Sequence, residues 1–152
     1  MNIFENVVRN GIQFTKLFRH MCEYKLFRTA LSDWIYDTLS NHDNIDRSML
    51  NFNADEIQSQ VTEEAEDNQS RPDLIIENGI GTIMLELKVD PYCTLTRNQP
   101  TGYLSILENN KTAEYRVLIF IVPKYYKYEE EIKKYSDGKS DIPVSILYWE
   151  DL

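Results

Sequence analysis

The chain has 152 residues, of which 42% are hydrophobic and 27% charged, so it can bury a core and is not a disordered or low-complexity polymer. Its formal net charge of −9 excludes a broadly cationic nucleic-acid coat, because phosphate binding is driven by Lys and Arg, but leaves room for an enzyme with one local patch. No apolar run reaches the length of a membrane span, the N-terminus lacks the pattern of a secretory signal, and two cysteines, Cys22 and Cys93, form no disulfide framework. A cytoplasmic protein with no membrane contact is the expectation.

The elements follow in chain order. Ile3, Phe4, Val7, Val8, Ile12, Phe14, Leu17 and Phe18 recur at three- and four-residue steps and predict a helix over 2–18; Leu26 to Leu39 continue the pattern in a second helix over 22–39. Residues 41–53 read as a polar loop and 57–65 as a first strand. Asp73 to Glu77 and Thr82 to Val89 read as two strands joined by the Asn78-Gly79 turn, a β-hairpin. Asn98 to Asn109 reads as a helix with Pro100 in its first turn. Val117 to Val122 is a continuous apolar strand, buried on both faces. Tyr125 to Tyr135 reads as a charged amphipathic helix and Val144 to Trp149 as a last strand.

The order α-α-β-β-β-α-β-α-β predicts an α/β (α+β) fold: one domain over 1–152, with N-terminal helices in 1–40 and a mixed sheet covered by helices in 57–152. Charge is uneven along it. Residues 1–31 hold five Lys/Arg against two acids, and residues 32–70 hold ten acids against Arg47 alone. The first helical region and the tract from Lys124 to Lys139, where lysines alternate with Tyr125, Tyr126, Tyr128 and Tyr135, are the places to look for a polyanion surface. Both also suit solvated helix faces.

The chemistry concentrates in the hairpin. Glu86 and Lys88 are two apart on a strand and share a face, while Leu85, Leu87 and Val89 take the other. The hairpin register brings Asp73 beside Glu86 across the ladder. Facing carboxylates repel, which makes a divalent cation a natural third party; Asp and Glu oxygens suit Mg²⁺ or Mn²⁺. A neighbouring lysine can orient a water or stabilise charge developing on a phosphate. If Lys88 faces a solvent-filled site, its removal should hardly disturb folding. His20 and His42 have no metal-ligand spacing, and neither cysteine sits in a CxxC.

Pro72-Asp73 followed by Glu86-Leu87-Lys88 resembles the signature of the PD-(D/E)XK nuclease superfamily, the restriction-endonuclease-like enzymes, and is similar to small bacterial and phage members. Gln99 and Tyr103 resemble the Gln and Tyr that many members carry on the helix after that strand. The resemblance implies a metal-dependent nuclease acting on DNA, in defence, restriction or repair, with a protein partner or homodimer lending affinity. It implies Asp73 and Glu86 as metal ligands, Lys88 on the attacking water, Gln99 beside the site, and Glu5 as the acid of the first helix. Glu63 and Glu64 compete with Glu5 for that place. Glu5 equally suits the dipole at a helix start, and Glu63 and Glu64 a solvated strand edge. The alternative is a non-catalytic module of the same fold that binds a protein partner.

Overall fold

The structure, a computed structural model, describes residues 11–39, 45–59, 71–96, 99–136 and 141–152. Among these residues it forms helices α1 (Gly11–Met21), α2 (Lys25–Leu39), α3 (Thr101–Asn109) and α4 (Glu129–Ser136) and strands β1 (Ile57–Ser59), β2 (Leu74–Glu77), β3 (Gly81–Leu87), β4 (Tyr115–Val122) and β5 (Val144–Tyr148). The five strands lie in chain order in one sheet. β1, β2 and β3 pair antiparallel, and β3, β4 and β5 pair parallel. The expected mixed α+β architecture is therefore present. No helix among the described residues is long and apolar enough to cross a membrane.

Every residue of β3 is buried, and seven of the eight residues of β4. This follows from their position: a helical layer covers each face of the sheet, so alternation of polar and apolar residues gives way to near-continuous apolar sequence. On one face Ile83, Leu85, Leu87, Val117, Ile119 and Ile121 pack with Phe18 of α1 and Leu31, Ile35 and Leu39 of α2. On the other, Met84, Leu118, Phe120 and Val122 pack with Tyr103, Leu104 and Leu107 of α3 and Ile132 of α4. The face that carries Met84 also carries Glu86 and Lys88, and there they interrupt the apolar layer.

The β2–β3 turn fixes the hairpin register. Gly79 has φ +79°, a left-handed conformation that glycine adopts freely. The Asn78 side chain accepts from Ile80 N and Gly81 N, both at 3.1 Å, and its Nδ2 donates to Met49 O at 2.6 Å and Asn51 O at 3.2 Å. One amide thus closes the turn and fastens it to the segment before β1. That segment is less irregular than a loop reading allows: Arg47–Leu50 is a 3₁₀ turn capped by Asp46.

Some boundaries depart from the sequence expectation. Helix α4 starts at Glu129, not Tyr125, because Tyr125 has φ +64° and cannot continue into a right-handed helix. Its three glutamates in the first turn and Lys133 and Lys134 in the last suit the helix dipole. Helix α3 starts at Thr101, with Pro100 as its cap and Gln99 outside it; the residue before a proline is biased away from helical backbone. The expected helix over 2–18 is seen from Gly11, and the expected strand over 57–65 is seen for Ile57–Ser59. Glu5, Glu63, Glu64 and His42 lie outside the described residues.

If Asn78 organises the turn, Asn78→Ala should lower unfolding free energy by roughly 2 kcal/mol, since it removes the acceptor of two backbone amides, a donor to Asn51 O and one of the two donors to Met49 O, which keeps the Tyr115 hydroxyl. Urea melts of the two proteins check this.

Candidate active site

Asp73, Glu86 and Lys88 come together at one end of the sheet. Leu74 pairs with Leu85, so the next step of the same register sets Asp73 opposite Glu86. The Asp73 carboxylate turns onto β3, where Oδ2 accepts from Leu87 N at 2.8 Å. This bond replaces the ladder contact that β2, which begins at Leu74, does not supply. Lys88 leaves the end of β3 with its N–H bonded to Ile121 O at 2.9 Å, still in register with β4. Its carbonyl accepts from the Trp149 indole at 2.8 Å, which fixes the backbone at Lys88 from the far side of β4.

Glu86 and Lys88 are 5% and 4% exposed, so both ions have lost nearly all their water. They form an ion pair, Lys88 Nζ to Glu86 Oε1, at 3.2 Å. Gln99 completes the pair. Its Nε2 donates to Glu86 Oε1 at 2.8 Å and its Oε1 accepts from Lys88 Nζ at 2.8 Å, so the donor end of the amide meets the anion and the acceptor end the cation. Lys88 Nζ also reaches Thr94 O at 3.3 Å, which accounts for its three protons. Tyr103 closes the other side: its hydroxyl accepts from Gln99 Nε2 at 2.7 Å and lies 2.9 Å from Arg71 O and 3.0 Å from Glu86 Oε2. The single hydroxyl proton serves one of these two acceptors at a time. No buried side-chain nitrogen or oxygen among the described residues lacks a partner.

The electrostatics are unbalanced. Two carboxylates face one ammonium, and burial together with the neighbouring Glu86 charge pushes the Asp73 pKa up to about 7, against the opposing pull of Leu87 N–H and Lys88. Burial and Glu86 also raise the Tyr103 hydroxyl well above its ordinary range, so it serves as a neutral donor. A second positive charge would relieve this imbalance. The donors at hand, Asp73 and Glu86, are hard oxygens of the kind that Mg²⁺ and Mn²⁺ prefer, so the residues fit such an ion. Among the described residues no group of three or more His, Cys, Asp and Glu gathers, and the sequence candidates for a further acid, Glu5, Glu63 and Glu64, fall outside them.

The structure corrects two expectations. Gln99 and Tyr103 do meet, but Gln99 reaches the site from the loop before α3 rather than from a helix face. Lys88 does not face a solvent-filled cleft; it is buried, and truncating it strands a buried carboxylate, so a stability cost is expected. Trp149 and the Thr94 carbonyl are not legible as site elements in the sequence. Both act through backbone groups of non-adjacent segments, for which a single sequence carries no pattern.

The other chemistry-bearing residues are elsewhere or engaged. His20 is exposed, and Cys22 is buried, with its thiol raised to about 11 by burial and hence unreactive. Lys124 pairs with Asp151 at 2.8 Å, and Lys133 approaches Glu129 and Glu130 at 3.5 Å each, so part of the lysine tract is neutralised on the surface. Tyr126 is buried, and Tyr128 and Tyr135 pack against the core, as the solvated-helix reading of that tract expects.

No family model, curated protein or solved structure matches the chain.

The Asp73 pKa makes a signed prediction for the metal-free protein. Between its unfolded value near 4 and about 7, the folded state holds a proton that the unfolded state has released. Stability should therefore fall as pH rises through this window. Asp73→Asn, which keeps an oxygen for Leu87 N–H, should flatten that slope and be more stable than the wild type at neutral pH. Thermal melts across pH 4–8 in chelator read both effects.

Proposed function

We propose that this chain is a metal-dependent nuclease of the PD-(D/E)XK type, hydrolysing phosphodiester bonds of DNA with Mg²⁺ or Mn²⁺ in a cytoplasmic setting of bacterial or phage defence, restriction or repair. The observation that carries the reading is the same-face assembly of Asp73, Glu86 and Lys88, with Gln99 bridging the acid and the base. A fully apolar layer would cover this face without the desolvation cost, so the charges call for a chemical purpose.

In this reading Asp73 and Glu86 would hold the cation, which would supply Lewis acidity for a water and charge neutralisation at the phosphate. Lys88 contributes an ammonium at the point where charge develops. All three of its protons are engaged in the free protein, so substrate must displace one acceptor, and Thr94 O, the longest at 3.3 Å, is the one most readily given up. Gln99 keeps the ammonium aimed during that exchange, and Tyr103 holds Glu86 and Gln99 in place. Trp149 fixes the Lys88 backbone.

The second reading is a non-catalytic module acting through a protein partner or homodimer. The internal satisfaction of the Glu86–Lys88 pair favours it, as does the acidic composition of residues 32–70.

Lys88→Met, which keeps the volume and removes the charge, should cut Mg²⁺- or Mn²⁺-dependent DNA cleavage by about 10²–10³ while retaining metal binding. Melting curves of the same samples report the folding cost separately. Cleavage that persists in excess EDTA contradicts the metal-dependent mechanism. If wild type and variant are equally inert on single-stranded, duplex and nicked DNA with Mn²⁺ present, the binding-module reading replaces it.

A further inference from the structure

Two exposed tyrosines flank the site on loops whose backbones are fastened in place. β3 and β4 run parallel with Leu87 opposite Ile121, so the segments after Lys88 and after Val122 leave the sheet at the same end. The first carries Tyr92, 73% exposed, and the second Tyr125, 94% exposed. Lys88 and Thr94 lie at that same end.

The two loops are stitched together. Lys127 N donates to Pro91 O at 2.9 Å, and the Tyr126 hydroxyl donates to Cys93 O. Each accepting carbonyl is adjacent in sequence to Tyr92. Tyr92 N in turn donates to Asp90 Oδ1 at 2.8 Å, and Cys93 N to Asp90 O at 3.0 Å, closing a turn around it. On the other loop, Lys124 N donates to the Glu150 carboxylate at 3.0 and 3.1 Å, so the backbone is held on both sides of Tyr125. Thr94, two residues beyond Tyr92, supplies the carbonyl that Lys88 Nζ reaches. The loops thus join the Lys88 ammonium to both rings through a short run of bonds.

Tyr125 adopts φ +64°, where a bulky side chain is disfavoured and glycine is at ease. No burial of its ring offsets that strain. A strained, exposed aromatic beside a site for chemistry is the kind of outlier that indicates binding. Aromatic rings held on a fixed backbone at such a place are suited to stacking on planar groups, at little entropic cost on binding. The acids of these segments, Asp90, Glu150 and Asp151, are hydrogen-bonded to backbone N–H groups or paired with Lys124. Lys127, exposed and with its ammonium 5.6 Å from the Tyr128 ring, supplies a cation for a phosphate between stacked bases.

We propose that Tyr92 and Tyr125 form an aromatic platform that stacks unpaired nucleobases at the end of the sheet that carries Lys88, so that the preferred substrate is a single strand or the frayed end of a duplex. Cleavage of the bound strand rests on the nuclease reading, whereas binding itself does not depend on it. Bases inside a duplex are already stacked on one another and do not offer their faces to the rings; a single strand does, whatever its sequence.

The test is fluorescence anisotropy of a labelled oligothymidine, the matching oligouridine, and the same DNA in a duplex, with the full chain and Ca²⁺ in place of Mg²⁺. Wild type should bind both single strands more tightly than the duplex. Tyr92→Ala and Tyr125→Gly should each weaken single-strand binding by about tenfold and leave duplex binding unchanged. Tyr125→Gly should also melt no lower than wild type, since it relieves the left-handed strain, and Phe at both positions should restore binding. Single-strand binding unaffected by either substitution, a preference for duplex, or no binding of wild type to any of the three overturns the platform. Mn²⁺-dependent cleavage is scored separately: cleavage without a tyrosine effect sinks the platform alone, and a tyrosine effect without cleavage sinks the nuclease reading alone.

Discussion

A buried ion pair on the central strand is the constraint around which the rest of this molecule is arranged. Glu86, on the strand with every residue buried, and Lys88, just past its end, sit in a largely apolar layer. Removing two ions from water costs several kcal/mol each, and their mutual attraction offsets this only when the remaining lone pairs and protons find partners. Gln99, Tyr103 and the Thr94 carbonyl are those partners. Each comes from a segment between β3 and β4, so the crossover does more than connect two parallel strands. Its first loop closes over the ammonium and its helix over the carboxylate.

The pair is not electrically closed. Asp73 adds a second buried carboxylate, and burial together with the Glu86 charge raises its pKa to about 7. In the nuclease reading a cation bound there would relieve the carboxylate repulsion. The surrounding architecture holds the strand that carries these residues. Leu85 and Leu87 anchor the same strand in the opposite core, and the Trp149 indole, itself packed edge-on against Phe14 and Phe18, holds the Lys88 backbone.

Much of this is legible in the residues because the hairpin obeys short-range rules. Period-two alternation puts Glu86 and Lys88 on one face, and Asn78-Gly79 fixes the register that brings Asp73 across. The continuous apolar run at 117–122 marks a strand covered on both sides, and the element order foretells the mixed sheet. Legibility ends where contacts are long-range or backbone geometry is unusual. Nothing local announces that the Trp149 indole reaches Lys88 O, or that Thr94 O reaches its ammonium. Charge alternation over Tyr125 to Tyr135 looks helical throughout, yet the left-handed backbone at Tyr125 delays the helix to Glu129. The burial of Lys88 escapes the sequence because a polar residue on a strand face reads as solvent-facing, whereas α3 and the preceding loop cover it.

The most direct test of the account is anomalous diffraction from crystals soaked in Mn²⁺. The account predicts a peak bound by the carboxylates of Asp73 and Glu86, with the Lys88–Glu86 contact lengthened from 3.2 Å as the cation takes over the Glu86 oxygen. No peak between these residues at millimolar Mn²⁺, with the ion pair intact, would contradict it and leave Glu86 and Lys88 as a structural pair.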